Sequence, residues 1–152
     1  MEIKDFLNKG DVFAARAGVQ LTEVNEGYAR AEMVVTEAHL NAGGVCQGGA
    51  IFTLADLALA AVLNVHGTLT YGLQNNIVFL HSAKFGDRLI AEAVETYNHH
   101  KIPYAEVEVR NQRNELISVF TGIAYRTREN VCEPVSCAAK ADADSNTSAT
   151  KA

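Results

Sequence analysis

Residues 50–65 form a nearly unbroken apolar run, interrupted by Asp56 and Asn64. The run is shorter than the roughly 20 residues that a membrane-crossing helix needs. A helix that is apolar nearly all round must be wrapped by other structure. The stretch therefore predicts one long helix buried in a core, and the flanking sequence says what wraps it. Residues 19–24 and 28–35 alternate apolar with polar side chains on either side of Asn25-Glu26-Gly27, which is a hairpin pattern. After the helix, punctuated by Gly67 and Gly72, residues 73–80, 88–98 and 104–110 read as strands. Residues 111–114 read as a turn and 116–126 as a last strand. The alternation Ala105-Glu106-Val107-Glu108-Val109 marks a sheet with one face in water. Ile3, Phe6, Leu7, Val12 and Phe13 recur at helical spacing and predict a short amphipathic helix within residues 1–18. The order predicts an α+β fold in which an antiparallel β-sheet wraps one long central helix.

A chain of 152 residues, 48% hydrophobic and 20% charged, suffices for one domain with a real core and not for two. That domain is expected to span residues 1–128. Beyond it, residues 129–152 are dominated by Ala, Ser, Thr, Asp and Lys, a composition that reads as a disordered tail. The formal net charge of −5 repels polyanions and argues against general nucleic-acid binding, but leaves room for a phosphate-bearing small ligand at a helix start. Cys46, Cys132 and Cys137 contain no CxxC, and the histidines show no HExxH spacing, so neither a zinc site nor any other metal or cofactor is expected. Reduced thiols, with neither a signal-peptide pattern nor a membrane span, predict a cytoplasmic protein.

The chemistry concentrates at the start of the helix. Gly48 and Gly49 lie where a polar, glycine-rich loop enters it, so their N–H groups can point at an oxygen with no side chain in the way. The helix dipole adds partial positive charge there, which favours a polarised carbonyl or the oxyanion formed from it. A pair of turn glycines is the plainer alternative. Asp56 comes seven residues after Gly49 in an apolar run, where an unpaired charge is costly, so it must face a polar cleft, a pairing group or a partner subunit.

Taken together, Asn41, Cys46-Gln47-Gly48-Gly49, Phe52, Leu54-Ala55-Asp56 and Asn64 resemble the signature of the phenylacetate-pathway type of hotdog acyl-CoA thioesterase. Asn76-Ile77-Val78-Phe79-Leu80, Gly86-Asp87-Arg88-Leu89 and residues 119–125 resemble that family's later strands, so the likeness covers about residues 10–128. The resemblance implies a hotdog fold, a dimer or tetramer with sheets joined edge to edge, and active sites at the subunit interface. Asp56 would act from one subunit as nucleophile or as base for a water, and Gly48 of the other would polarise the thioester carbonyl. Asn41 and Gln47 would orient the reactants, with Gly49, Cys46, Asn76 and His81 against the substrate.

Two departures stand out. Gln47 occupies the place where the family usually has His, and glutamine donates a hydrogen bond but shuttles no proton near neutral pH. His81-Ser82 stands where relatives often carry a basic residue and Pro, which implies a weaker contact to CoA phosphates. Cys46 has no recognisable partner set for a nucleophile and reads as a small buried thiol. Residues 98–101, Asn-His-His-Lys, read as a solvated loop. The expected activity is hydrolysis of acyl-CoA to free acid and CoA, with the acyl group open among phenylacetyl, hydroxybenzoyl and medium-chain types. The alternative is a non-catalytic hotdog module that binds CoA esters. A hotdog dehydratase is less favoured, because no His paired with a carboxylate is evident in the sequence.

Overall fold

The computed structural model describes residues 2–131. The elements run α1 (Ile3–Gly10), α2 (Val12–Arg16), β1 (Gln20–Asn25), β2 (Tyr28–Val34), a 3-10 turn (Glu37–His39), α3 (Gly48–Asn64), β3 (Thr68–Phe79), β4 (Arg88–Tyr97), β5 (Tyr104–Arg110) and β6 (Leu116–Asn130). The strands form a six-stranded sheet in the order β1-β2-β4-β5-β6-β3, antiparallel at every pairing. The sheet curls around α3, which buries Ile51, Leu54, Ala55, Leu57, Ala58, Leu59, Ala61, Val62 and Leu63. Inward-facing Ala29, Ala31, Met33, Leu89, Ala91, Ala93, Val107, Val109 and Phe120 complete the core. Small residues at the centre of β2 and β4 let the helix lie close to the sheet. Among the described residues, no helix is long and apolar enough to cross a membrane.

One stripe of α3 stays outside this wrapping. Gly49, Thr53, Asp56 and Ala60 are spaced by four, three and four residues, the spacing of a single helix face, and none of them is buried. Asp56 thus occupies the part of the helix that its own sheet does not cover. Asn64, the other polar break, has a structural explanation. Its amide donates to Ala60 O (2.8 Å) and Thr70 O (3.1 Å), and its carbonyl oxygen accepts from Thr70 N–H (2.8 Å), which locks the helix end to β3. Gly67, at φ +86°, makes the turn between them.

Three elements differ from the sequence expectation. The amino-terminal segment is two helices, broken at Asp11, whose carboxylate accepts from Ala14 N–H and starts α2 (2.9 Å). β3 begins at Thr68, ahead of the expected residue 73, because Gly72 lies within the strand at a bulge. β6 runs on to Asn130, and Val131 is 1% exposed with its N–H on Gly67 O (3.0 Å), so residues 129–131 pack on the body. The remainder of the expected tail, with Cys132 and Cys137, lies outside the described residues.

Candidate active site

The loop ahead of α3 is held by its own polar groups. Asn41 Oδ1 accepts from Gly43 N–H (2.9 Å) and Val45 N–H (3.3 Å), and Gly44 turns at φ +77°. His39 bridges this region to α2, with Nε2 2.7 Å from Ala17 O and Nδ1 accepting from Thr36 N–H (2.9 Å). These contacts fix the imidazole as the tautomer that carries its proton on Nε2. At the helix start, Gln47 is the N-cap and its side-chain oxygen accepts from Gly49 N–H. Glutamine is not a usual cap residue, and this role was not legible in the sequence. Its effect is to occupy the Gly49 N–H, whereas the Gly48 N–H meets no protein acceptor among the described residues. Of the two glycines, Gly48 offers the free donor at the positive end of the helix dipole.

Gly48 opens onto a cleft of about 350 Å³ that is also lined by Asn41, Cys46, Phe79 and His81. The fold therefore brings four of the sequence candidates together. Gln47 and Gly49 face the other side of the helix start, in a groove of about 580 Å³ with Phe13, Arg16, Leu40 and Thr53. Cys46 is 5% exposed, and burial pushes its thiol up to about 11, so it stays protonated at neutral pH and is a poor nucleophile.

Asp56 is half-buried two turns further along α3, and Asn75 Nδ2 donates to its Oδ1 (2.9 Å). Desolvation raises the Asp56 carboxyl above its ordinary value, the Asn75 hydrogen bond opposes that rise, and the negative charge of Asp11 adds to it. A carboxylate with few solvating partners and one fixed donor is a competent base or nucleophile. The sequence offered Asn75-Asn76 as pocket-lining residues or as strand polarity, with Asn76 named against the substrate, and the bulge places the two on opposite faces of β3. Gly72 pairs with Ala124 and Gln74 with Ile123, so Leu73 is an extra residue and the inward parity of β3 shifts from even to odd. Asn75 then faces the helix, and Asn76 is exposed on the outer face with Tyr104 and Thr121, away from Asp56.

Within one chain, Gly48 and Asp56 cannot meet at a single carbonyl. Eight residues of α-helix separate them by about 12 Å and rotate them by about 80°. The structure also contains a His–carboxylate pair absent from the sequence reading. His66 Nε2 lies 2.6 Å from Glu95 Oε2, while Arg126 holds Glu95 Oε1 (2.9 Å). Glu95 and Arg126 are 4% and 10% exposed, and Arg126 also donates to Asn98 Oδ1 (2.6 Å) and His99 O (2.8 Å). This cluster ties the 98–101 loop and the exit of α3 to the sheet, at the opposite end of the helix from Gly48. Among the described residues, no group of three or more His, Cys, Asp or Glu is placed to hold a metal ion.

A long helix wrapped by a curled antiparallel sheet defines the hotdog class of proteins. The chain belongs to the thioesterase superfamily, whose family model matches residues 43–118. It is 41% identical over 128 residues, 84% of this chain and 83% of the relative, to an Archaeoglobus fulgidus protein whose assignment as an esterase is itself provisional. It is 30% identical to the acyl-coenzyme A thioesterase PaaI of Escherichia coli, over 78% of this chain and 84% of that protein. The solved structure of Escherichia coli PaaI matches with a TM-score of 0.79 at 26% identity, covering 85% of this chain and 99% of the other. A Streptococcus mutans protein bound to acetyl-CoA matches with a TM-score of 0.69 at 27% identity, covering 72% and 88%.

Proposed function

We propose that the protein hydrolyses acyl-CoA thioesters to the free acid and CoA, at a site that joins Asp56 of one subunit to Gly48 of another. The observation that carries this reading is the pairing of one unoccupied glycine N–H with one desolvated carboxylate on the same helix, too far apart to act together within a chain. In an antiparallel pair of helices, the start of one lies beside the middle of the other. The Gly48 N–H then stabilises the oxyanion while Asp56 attacks the carbonyl carbon or removes a proton from the attacking water. When water attacks, the C–S bond breaks, the free acid forms and the CoA thiolate takes up the proton that Asp56 removed. When Asp56 attacks, CoA leaves as a thiolate from an acyl–Asp56 anhydride; water then hydrolyses the anhydride to the free acid, restores the carboxylate and supplies the proton for the thiolate. Asn41 Nδ2 and His81, which share the Gly48 cleft, orient the thioester arm. Gln47 serves through the helix cap and not through proton transfer. The acetyl-CoA held by the Streptococcus mutans relative and the name of the Escherichia coli relative support CoA esters as the substrate class.

The dimer or tetramer has its own support. β3 is an edge strand that ends in Phe79, 51% exposed and followed by Leu80, 54% exposed, with Leu73 61% exposed. A long, apolar, unpaired edge is covered in a stable protein by a second chain. The uncovered stripe of α3 lies on the same flank as β3, since Asn75 of that strand reaches Asp56. The expected cytoplasmic location belongs to the same reading. Free-thiol release from a panel of phenylacetyl-, hydroxybenzoyl- and medium-chain acyl-CoAs tests the activity. Catalytic release with at least one member is expected. Binding of all without release would favour the non-catalytic module.

A further inference from the structure

We infer that Gly122 is a positioning residue for the reaction. By carrying no side chain on β6, it leaves the space in which Asn75 lies across the strand to hold Asp56, and the bulge at Leu73 aims Asn75 into that space. The inference rests on Asp56 being the reacting carboxylate.

Three observations lead to it. Gly122 is the direct cross-strand partner of Asn75. A Cβ on Gly122 would stand 2.5 Å from Asn75 Oδ1 and 2.5 Å from a Leu59 methyl, closer than real Cβ contacts come. Leu59 is sealed in the core, so Asn75 is the group with room to move. Secondly, Gly122 is not among the glycines at positive φ, so its backbone could carry another residue, and what the glycine supplies is space. Thirdly, Asn75 Oδ1 is buried with no donor among the described residues. An unpaired buried amide oxygen works against stability. The position therefore serves the other end of the amide, whose partner is Asp56. A reacting group held in one rotamer by a neighbour that is itself locked by packing is the arrangement a preorganised site requires.

The test is Gly122→Ala in the full-length protein, with kcat, KM and the pH dependence of kcat measured on the best acyl-CoA substrate. The added methyl displaces the Asn75 amide, so kcat falls by about 10- to 100-fold while KM changes little. The acid limb of the pH profile moves to higher pH, because Asp56 loses its donor while Asp11 bears on it unchanged. Asn75→Ala gives the same shift. In a Leu59→Val background, which relieves the other close contact, adding Gly122→Ala to Asn75→Ala brings no further loss, because no Asn75 amide remains to be displaced. If Gly122→Ala alone does not fold, the same measurements on Gly122→Ala with Leu59→Val, which draws back the other crowded methyl, decide the matter. Wild-type kcat and an unmoved acid limb in Gly122→Ala, or losses that simply multiply when Gly122→Ala and Asn75→Ala are combined in the Leu59→Val background, overturn the inference. If Asp56→Asn is inactive and Gly122→Ala is indistinguishable from wild type, this inference alone fails. If Asp56→Asn retains turnover, the reading of the site fails with it.

Discussion

Asn75 Nδ2 donates to Asp56 Oδ1 across 2.9 Å and so joins the edge strand β3 to the middle of the central helix. The bond links the proposed catalytic carboxylate to the strand on which the proposed subunit contact depends. A change at that edge is therefore felt at Asp56, and the site's chemistry and the assembly are open to test by the same variants.

Asp56 lowers the stability of the fold it serves. Desolvation raises its carboxyl above the ordinary value, so between that value and the raised one the native state keeps a proton that the unfolded chain has released. Its contribution to stability therefore falls as pH rises through this interval and stays lost above it. Asp56→Asn has no charge to desolvate and melts higher than the parent at pH 7, with the gap closing below about pH 4. Calorimetry at both pH values checks this, and a gap that does not depend on pH would contradict it.

Gln47→Ala removes the acceptor of the Gly49 N–H and leaves the start of α3 uncapped. Loss of a cap typically lowers stability by about 1 kcal/mol. With Gly48 still free to donate, turnover falls by less than about tenfold. A loss on the order of 10² to 10³, the size associated with removing an oxyanion donor, would place Gln47 on the reacting carbonyl.

Gly48→Pro removes the proposed donor at the first helical position, where the backbone accepts proline, but a Cβ there would stand 2.7 Å from Phe79 Cζ, so Gly48→Ala, which meets the same ring and keeps the N–H, is its control. Gln47 already has the extended conformation that a residue before proline requires (φ −65°, ψ 135°). Gly48→Pro and Asp56→Asn are each expected to be nearly inactive. After co-refolding at equal amounts, half of the dimers contain one subunit of each kind, with one intact site of the two, so about a quarter of wild-type activity returns. No recovery in confirmed mixed dimers would mean that each subunit acts alone.

Two truncations test what the end of β6 and Val131 contribute. Removing residues 132–152 is expected to leave the melting temperature and turnover nearly unchanged, since that composition offers little apolar surface to bury. Removing residues 129–152 also takes Val131 and its hydrogen bond to Gly67, and lowers the melting temperature. Equal melting of the two truncations would show that Val131 contributes nothing.

The fold was legible where burial follows period. The apolar run gave α3 to within two residues at its start, and the clean alternation around Val107 gave the bounds of β5. β3 was not legible at its beginning, because Gly72 reads as a break and is in fact part of a bulged strand. The same bulge hid the choice between Asn75 and Asn76, since one extra residue exchanges the two faces and leaves no mark in composition. The places of Asp56 and Gly48 on α3 were legible because a charge in an apolar helix and a glycine at its start are local signals. His66 and Glu95 lie 29 residues apart in sequence, and only the tertiary structure brings them together.

The central claim is that Asp56 performs chemistry and does not merely bind, and release of free CoA by Asp56→Asn tests it most directly. The asparagine keeps the shape and removes the charge. Turnover of every acyl-CoA that the wild-type protein hydrolyses should fall by on the order of 10² to 10⁴ or more, with substrate affinity changed far less. Wild-type turnover by Asp56→Asn would contradict the account.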